Sequence, residues 1–185
     1  LLFGFMWTHP GSQLLFMGGE FGQTSEWSIE RGLEWWLTEY EYHKGVQAWI
    51  KDLNEYYTRA TALFEKQFEA GGFEWIEHAD WQNSVVTYLR KGDKKKDVVL
   101  VACNFTPVLR EHYRFGVPFA GQWKECLNSD AGKYGGSGAG NAENIKGNKT
   151  ECHGRPYSIE VTLPPLSVVV FEPVKPETKV KNPKP

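Results

Sequence analysis

The sequence predicts a mainly β protein, an antiparallel β-sandwich preceded by a shorter helix–strand–helix stretch. Three observations carry this. Up to about Phe68, apolar residues recur at three- and four-residue spacing or in one compact block. From Gly71 that spacing gives way to short runs rich in Val, Phe, Tyr and Thr. Turn residues such as Lys91-Gly92-Asp93-Lys94 and Pro164-Pro165 separate those runs. Repeated short strands without helical spacing make a sandwich.

Taken in order, Leu1 to Thr8 reads as a buried helix, stopped by His9-Pro10-Gly11 because Pro lacks the donor that a helix interior needs and Gly ends helices. Gln13-Leu14-Leu15-Phe16-Met17 is a continuous apolar run between Gly11 and Gly18-Gly19. It fits a strand buried on both faces, as in a parallel sheet, although periodicity alone leaves a helical segment open. A polar loop bearing tryptophans follows. Val46, Trp49, Ile50, Leu53, Tyr56, Tyr57, Ala60, Leu63 and Phe64 then mark an amphipathic helix of about five turns.

Seven strands are expected at Phe73–Glu77, Ser84–Arg90, Val98–Phe105, His112–Val117, Gln122–Leu127, Tyr157–Leu163 and Ser167–Glu172. The stretch from Ala131 to Gly154 is rich in Gly, Asn and Lys. A loop of that length is functional or mobile. Pro173 to Pro185 alternates Lys and Pro with little to bury, so disorder is expected there. The division is therefore 1–70, 71–173 and a tail at 174–185.

Composition narrows the function classes. The 185 residues carry 21 basic against 23 acidic side chains, for a net charge of -2. That balance excludes a basic phosphate-binding surface as the main theme, so no nucleic-acid partner is expected. The cluster Arg90-Lys91-Gly92-Asp93-Lys94-Lys95-Lys96 reads as a solvated hairpin tip. No apolar run approaches the ~20 residues of a membrane helix, and the opening Leu1–Trp7 lacks a basic n-region and a cleavage site. Cys103, Cys126 and Cys152 have no CxxC spacing; reduced thiols in a cytoplasm are the plain reading. Cys103 is expected as a small buried residue. The five histidines show no metal-ligand spacing, and no cofactor or metal is expected. The absence of an initiator Met, with an apolar run flush at the start, is expected of a piece of a longer protein.

The chemistry-bearing residues gather early. Gly18-Gly19-Glu20-Phe21-Gly22-Gln23 follows the apolar run directly. A carboxylate at a parallel strand's exit sits where barrel enzymes place ligand-facing groups. Glu20 either faces such a rim or accepts hydrogen bonds beneath it. The glycine spacing is not that of a phosphate cradle. Glu26, Trp27, Trp35, Trp36 and Tyr40 follow. Flat aromatic faces beside carboxylates and amides suit sugar rings, and the same tryptophans equally suit helix–helix or interdomain packing. Glu20, Gln23, Trp27 and Trp35 are the candidate substrate-binding residues.

Leu14-Leu15-Phe16-Met17-Gly18-Gly19-Glu20-Phe21-Gly22-Gln23, with Glu26-Trp27, resembles the bacterial type of 1,4-α-glucan (glycogen) branching enzyme, of the α-amylase superfamily. The resemblance continues through Leu33-Glu34-Trp35, His43-Lys44-Gly45-Val46-Gln47, Lys51-Asp52-Leu53-Asn54 and Cys103-Asn104-Phe105-Thr106-Pro107. It extends through Tyr113-Arg114-Phe115-Gly116-Val117, Leu127-Asn128-Ser129-Asp130, His153-Gly154-Arg155 and Leu163-Pro164-Pro165-Leu166. It implies the helical and last-strand end of a truncated (β/α)8 barrel over 1–70, then the C-terminal sandwich. It also implies retaining transfer of α-1,4-glucan chains to a 6-hydroxyl by carboxylates on earlier barrel strands. No catalytic residue therefore falls in this sequence, and the piece alone is expected to be inactive. Ser28-Ile29-Glu30 departs from the family's Asn-His/Phe-Asp-like stretch, which leaves the specificity of this rim loop open. The implied partners are α-glucan and the missing barrel of the same chain, with self-association of the isolated piece. Another α-glucan-acting hydrolase (trehalose-releasing or debranching) and a non-catalytic carbohydrate-binding module are the alternatives.

Overall fold

The computed structural model describes residues 1–174; the expected tail, apart from Val174, lies outside the described residues. Two α-helices, α1 (Leu2–Thr8) and α2 (Glu41–Arg59), precede eight strands. These are β1 (Phe73–Asp80), β2 (Val85–Lys91), β3 (Val98–Asn104), β4 (Arg110–Val117), β5 (Gly121–Asn128), β6 (Ile145–Gly147), β7 (Tyr157–Leu163) and β8 (Ser167–Pro173). Short 3-10 turns at Gly19–Phe21, Trp35–Glu39 and Gly132–Tyr134 punctuate the connections.

The strands form a six-stranded sheet in the order β1-β2-β3-β8-β5-β6 and a two-stranded ribbon, β4-β7. Every pairing is antiparallel. The ribbon covers one face of the large sheet and the helices cover the other, so the molecule has three layers. β3 at the centre is buried along its whole length. Its alternate residues enter different cores: Val99, Val101 and Cys103 pack with Leu53, Tyr56 and Trp49 of α2, while Leu100 and Ala102 pack with Phe115, Ile159 and Leu163 of the ribbon. Period-two side-chain geometry explains the split. β5 changes face part-way, because a register shift between Glu125 and Leu127 lets Trp123 enter the ribbon core and Leu127 the helix core.

Two glycines are required by close approach. A Cβ on Gly45, in the interior of α2, would lie 2.2 Å from the Tyr134 carbonyl oxygen. A Cβ on Gly116 would lie 2.2 Å from that of Cys152. The first seats the 131–136 segment on α2; the second seats the Cys152–Arg155 turn on β4.

Four expectations are corrected. Leu14 to Met17 forms no strand and is exposed, with Leu14 at 70% and Phe16 at 59%. A parallel strand exists only through hydrogen-bonding neighbours, and no described strand flanks this run. Arg90 is not on a solvated tip: it is 1% exposed within β2, and its guanidinium donates to the Thr8 (2.9 Å) and Leu63 (2.6 Å) carbonyls. The acceptors lie at the ends of α1 and of the segment after α2, which outcompetes solvent for this one member of the basic cluster. The 131–154 stretch is not structureless. Asp52 accepts from the Tyr134 hydroxyl, Asn141 Nδ2 donates to Glu125 (2.9 Å) and to the Thr162 carbonyl (2.9 Å), and β6 extends the sheet. The helix predicted through Phe64 ends at Arg59, after which a 3-10 turn at Thr61–Leu63 continues the apolar series.

Candidate functional site

The segment from Gly18 to Tyr40 is built on α2. His43, in the first turn of α2, donates from Nδ1 to the Phe21 carbonyl (2.8 Å), and Phe21 is fully buried. This holds the Gly19–Phe21 turn against the helix. Gly18 and Gly22 on either side have φ of 88° and 66°, a left-handed conformation that only glycine adopts without strain. The apolar run, the turn and the loop are thereby fixed on one side of the molecule.

Glu20 is half-buried and lines an open groove of about 580 Å³. Leu15, Met17 and Leu33 form one wall, and Gln47 and Ile50 of α2 the other. Trp27 is 42% exposed and meets Phe16 edge-on at 5.6 Å. Trp35 is 54% exposed and leans on Phe21 at 4.9 Å. Trp36 is also exposed and meets Tyr40. Trp7, Trp49 and Trp123 are buried and serve packing, whereas Trp27, Trp35 and Trp36 are exposed.

The four candidate residues do not converge on one cavity. Glu20 lines the groove along α2, whereas Gln23 and Trp27 line a separate small cavity of about 60 Å³ inside the 23–34 loop. Gln23 is occupied structurally: its Nε2 donates to the Ser25 carbonyl (3.1 Å) and its Oε1 accepts from the Glu34 N–H (3.0 Å). Glu34 was not singled out by its chemistry in the sequence, yet it closes this loop. Its Oε1 accepts from the Ser25 hydroxyl (2.7 Å), and its Oε2 from the Ser25 N–H (3.1 Å) and the Thr24 hydroxyl (3.2 Å). Those Ser25 bonds, hydroxyl first, hold the Glu34 carboxyl below its ordinary pKa. Its signal in the sequence is a Ser-Thr pair facing a carboxylate across a loop, a pattern too common to single out in advance.

The arrangement offers exposed aromatic faces beside the carboxylates of Glu20, Glu26 and Glu34. Among the described residues no group of three His, Cys, Asp or Glu side chains could hold a metal ion. Cys103 is fully buried, and burial pushes its thiol up to about 12, which removes it as a nucleophile. No described helix is long and apolar enough to cross a membrane.

Residues 75–174 match the family model for the alpha amylase C-terminal all-beta domain. The chain belongs to that family. The alpha amylase C-terminal domain here comprises nearly all of β1 through β8. The chain is 54% identical over 171 residues to 1,4-alpha-glucan branching enzyme GlgB of Aquifex aeolicus, covering 92% of this chain and 27% of that protein. The GlgB proteins of Aromatoleum aromaticum and Halothermothrix orenii are 51% and 46% identical, over 93% and 94% of this chain and 27% and 28% of theirs. The chain thus spans about a quarter of the length of the curated relatives it matches. The similarity also covers residues before the all-beta domain, including the aromatic loop up to Tyr40 and α2.

Proposed function

We propose that this chain serves as the C-terminal part of a 1,4-α-glucan branching enzyme, which transfers α-1,4-glucan chains to a 6-hydroxyl in glycogen synthesis. Residues 1–70 complete its barrel and 71–173 are its accessory sandwich. The observation that carries the reading is identity to branching enzymes that runs through both the sandwich and the aromatic 14–40 segment. The exposed Leu14, Phe16, Met17 and Ile29 form the side that packs against the rest of the barrel. Glu20, Trp27 and Trp35 face the glucan, with the indole rings stacking on sugar faces. The reacting carboxylates belong to the barrel outside this chain, so the chain alone does not branch glucan. The protein works in the cytoplasm.

The sandwich acts by bracing rather than by binding glucan. Its large sheet is covered by helices on one face and by the ribbon on the other, and the central strand β3 is buried along its whole length. The test is branch formation followed by the iodine spectrum of amylose. The full-length protein is expected to shift the spectrum. A full-length protein that released trehalose or only removed branches would point to the hydrolase alternative.

A further inference from the structure

We infer that Gln23 and Glu34 form a latch that closes the 24–34 loop and fixes the pose of Trp27, making both of them positioning residues rather than sugar ligands. This rests on the α-glucan reading above for what Trp27 faces, but not for the latch itself.

The geometry is that of a neck tied from both sides. Glu34 presents two oxygens that act only as acceptors, and three donors from Thr24 and Ser25 reach them. Gln23 uses both ends of its amide on the same neck, receiving the Glu34 N–H and donating to the Ser25 carbonyl. Its side chain lies over Gly18, where a Cβ would sit 2.8 Å from that of Gln23. The amide is therefore seated by the turn beneath it and has little freedom to reach a ligand.

Beyond the neck, the loop's own hydrogen bonds are short-range. The Glu30 N–H donates to the Ser28 hydroxyl (3.2 Å) and the Arg31 N–H to the Ser28 carbonyl (3.4 Å). Gln23, Trp27 and Glu34 line the same small cavity of about 60 Å³, which places the neck and the ring in one unit. Trp27 meets one aromatic neighbour, Phe16, with the ring planes at 67° and the centroids 5.6 Å apart. Opening the neck releases that ring, whereas the closed neck presents its face at a fixed angle. Pre-arranging a binding group lowers the ordering cost of binding.

The test has two stages. In the 185-residue chain, Glu34→Ala and Gln23→Ala are compared with the unaltered protein by hydrogen exchange at Ser25 and by tryptic cleavage after Arg31. The milder Glu34→Gln keeps one acceptor and falls between them. Unchanged exchange protection in β3 and β8 establishes that each variant is folded. The expected result is cleavage faster by about tenfold in Glu34→Ala, since local opening sets access to the site. Unaltered cleavage and exchange overturn the latch.

In the full-length protein, Glu34→Ala is expected to raise KM for amylose by about tenfold with kcat within about twofold, the pattern of lost binding. A loosened loop with unaltered KM overturns Trp27's positioned role. A full-length unaltered protein that forms no branches overturns the α-glucan reading and leaves the first-stage result standing.

Discussion

Glu34 shows how a single ionisable group can govern a loop. Its pKa is lowered in the folded chain because the Ser25 hydroxyl and N–H donate to the ionised carboxylate. The latch's contribution is therefore complete above the ordinary carboxylate value of about 4.3 and is lost as the pH falls through the lower folded value. Glu26, Glu30 and Arg31 are the other charged groups of the loop, and His43 lies beneath the turn that carries it. Hydrogen exchange measured across this range should show Ser25 losing protection as the pH falls below the ordinary carboxylate value, while β3 keeps it. Gly45 is a second such residue. Gly45→Ala places a methyl group against the Tyr134 backbone, and an overpacked site of this kind costs about 1–3 kcal/mol. Urea unfolding should register that loss, despite alanine's better helix propensity.

At the scale of elements, α2 is the pillar of the helix layer. It buries Trp49, Ile50, Leu53 and Tyr56 against β3 and β8. Leu53 is 1% exposed, so Leu53→Ala should destabilise the chain by about 2–5 kcal/mol in denaturant unfolding. This helix was legible from its spacing, and the seven longer strands from short runs rich in Val, Phe, Tyr and Thr set between turn residues. β6 was not, since Ile145–Gly147 has one buried apolar residue and no alternation to read. Leu14 to Met17 misled for the opposite reason. Its apolar character is a property of a surface, and a continuous apolar run carries no information about which partner covers it. Glu34 and Arg90 stayed hidden because their partners, Ser25 and the Thr8 and Leu63 carbonyls, are assigned only by the fold. The aromatic loop was legible as a polar, tryptophan-bearing stretch, but the split between Glu20's groove and Trp27's cavity was not.

For the whole molecule, two cores share one sheet. The helix-side core joins residues of the first seventy positions to Tyr88, Val99, Val101, Val168 and Val170. Removing residues 1–70 would expose that face of the sheet, so the 71–174 piece is expected to aggregate on expression, as exposed apolar patches of that size do. A soluble, monomeric 71–174 piece would contradict this. The opposite side carries a second consequence. Leu14, Phe16, Met17 and Ile29 are all more than 40% exposed, a burden that the rest of a barrel would cover. Light scattering of the 185-residue chain should show concentration-dependent association, and Phe16→Glu should reduce it.

In the proposed role this chain braces and shapes a glucan-branching site without supplying its chemistry. The most direct test of that role is the iodine spectrum of amylose incubated with the 185-residue chain alone and with the full-length protein that contains it. The account predicts no change with the chain alone and a falling, blue-shifted absorbance with the full-length protein. Branching by the chain alone, or none by the full-length protein, would contradict it.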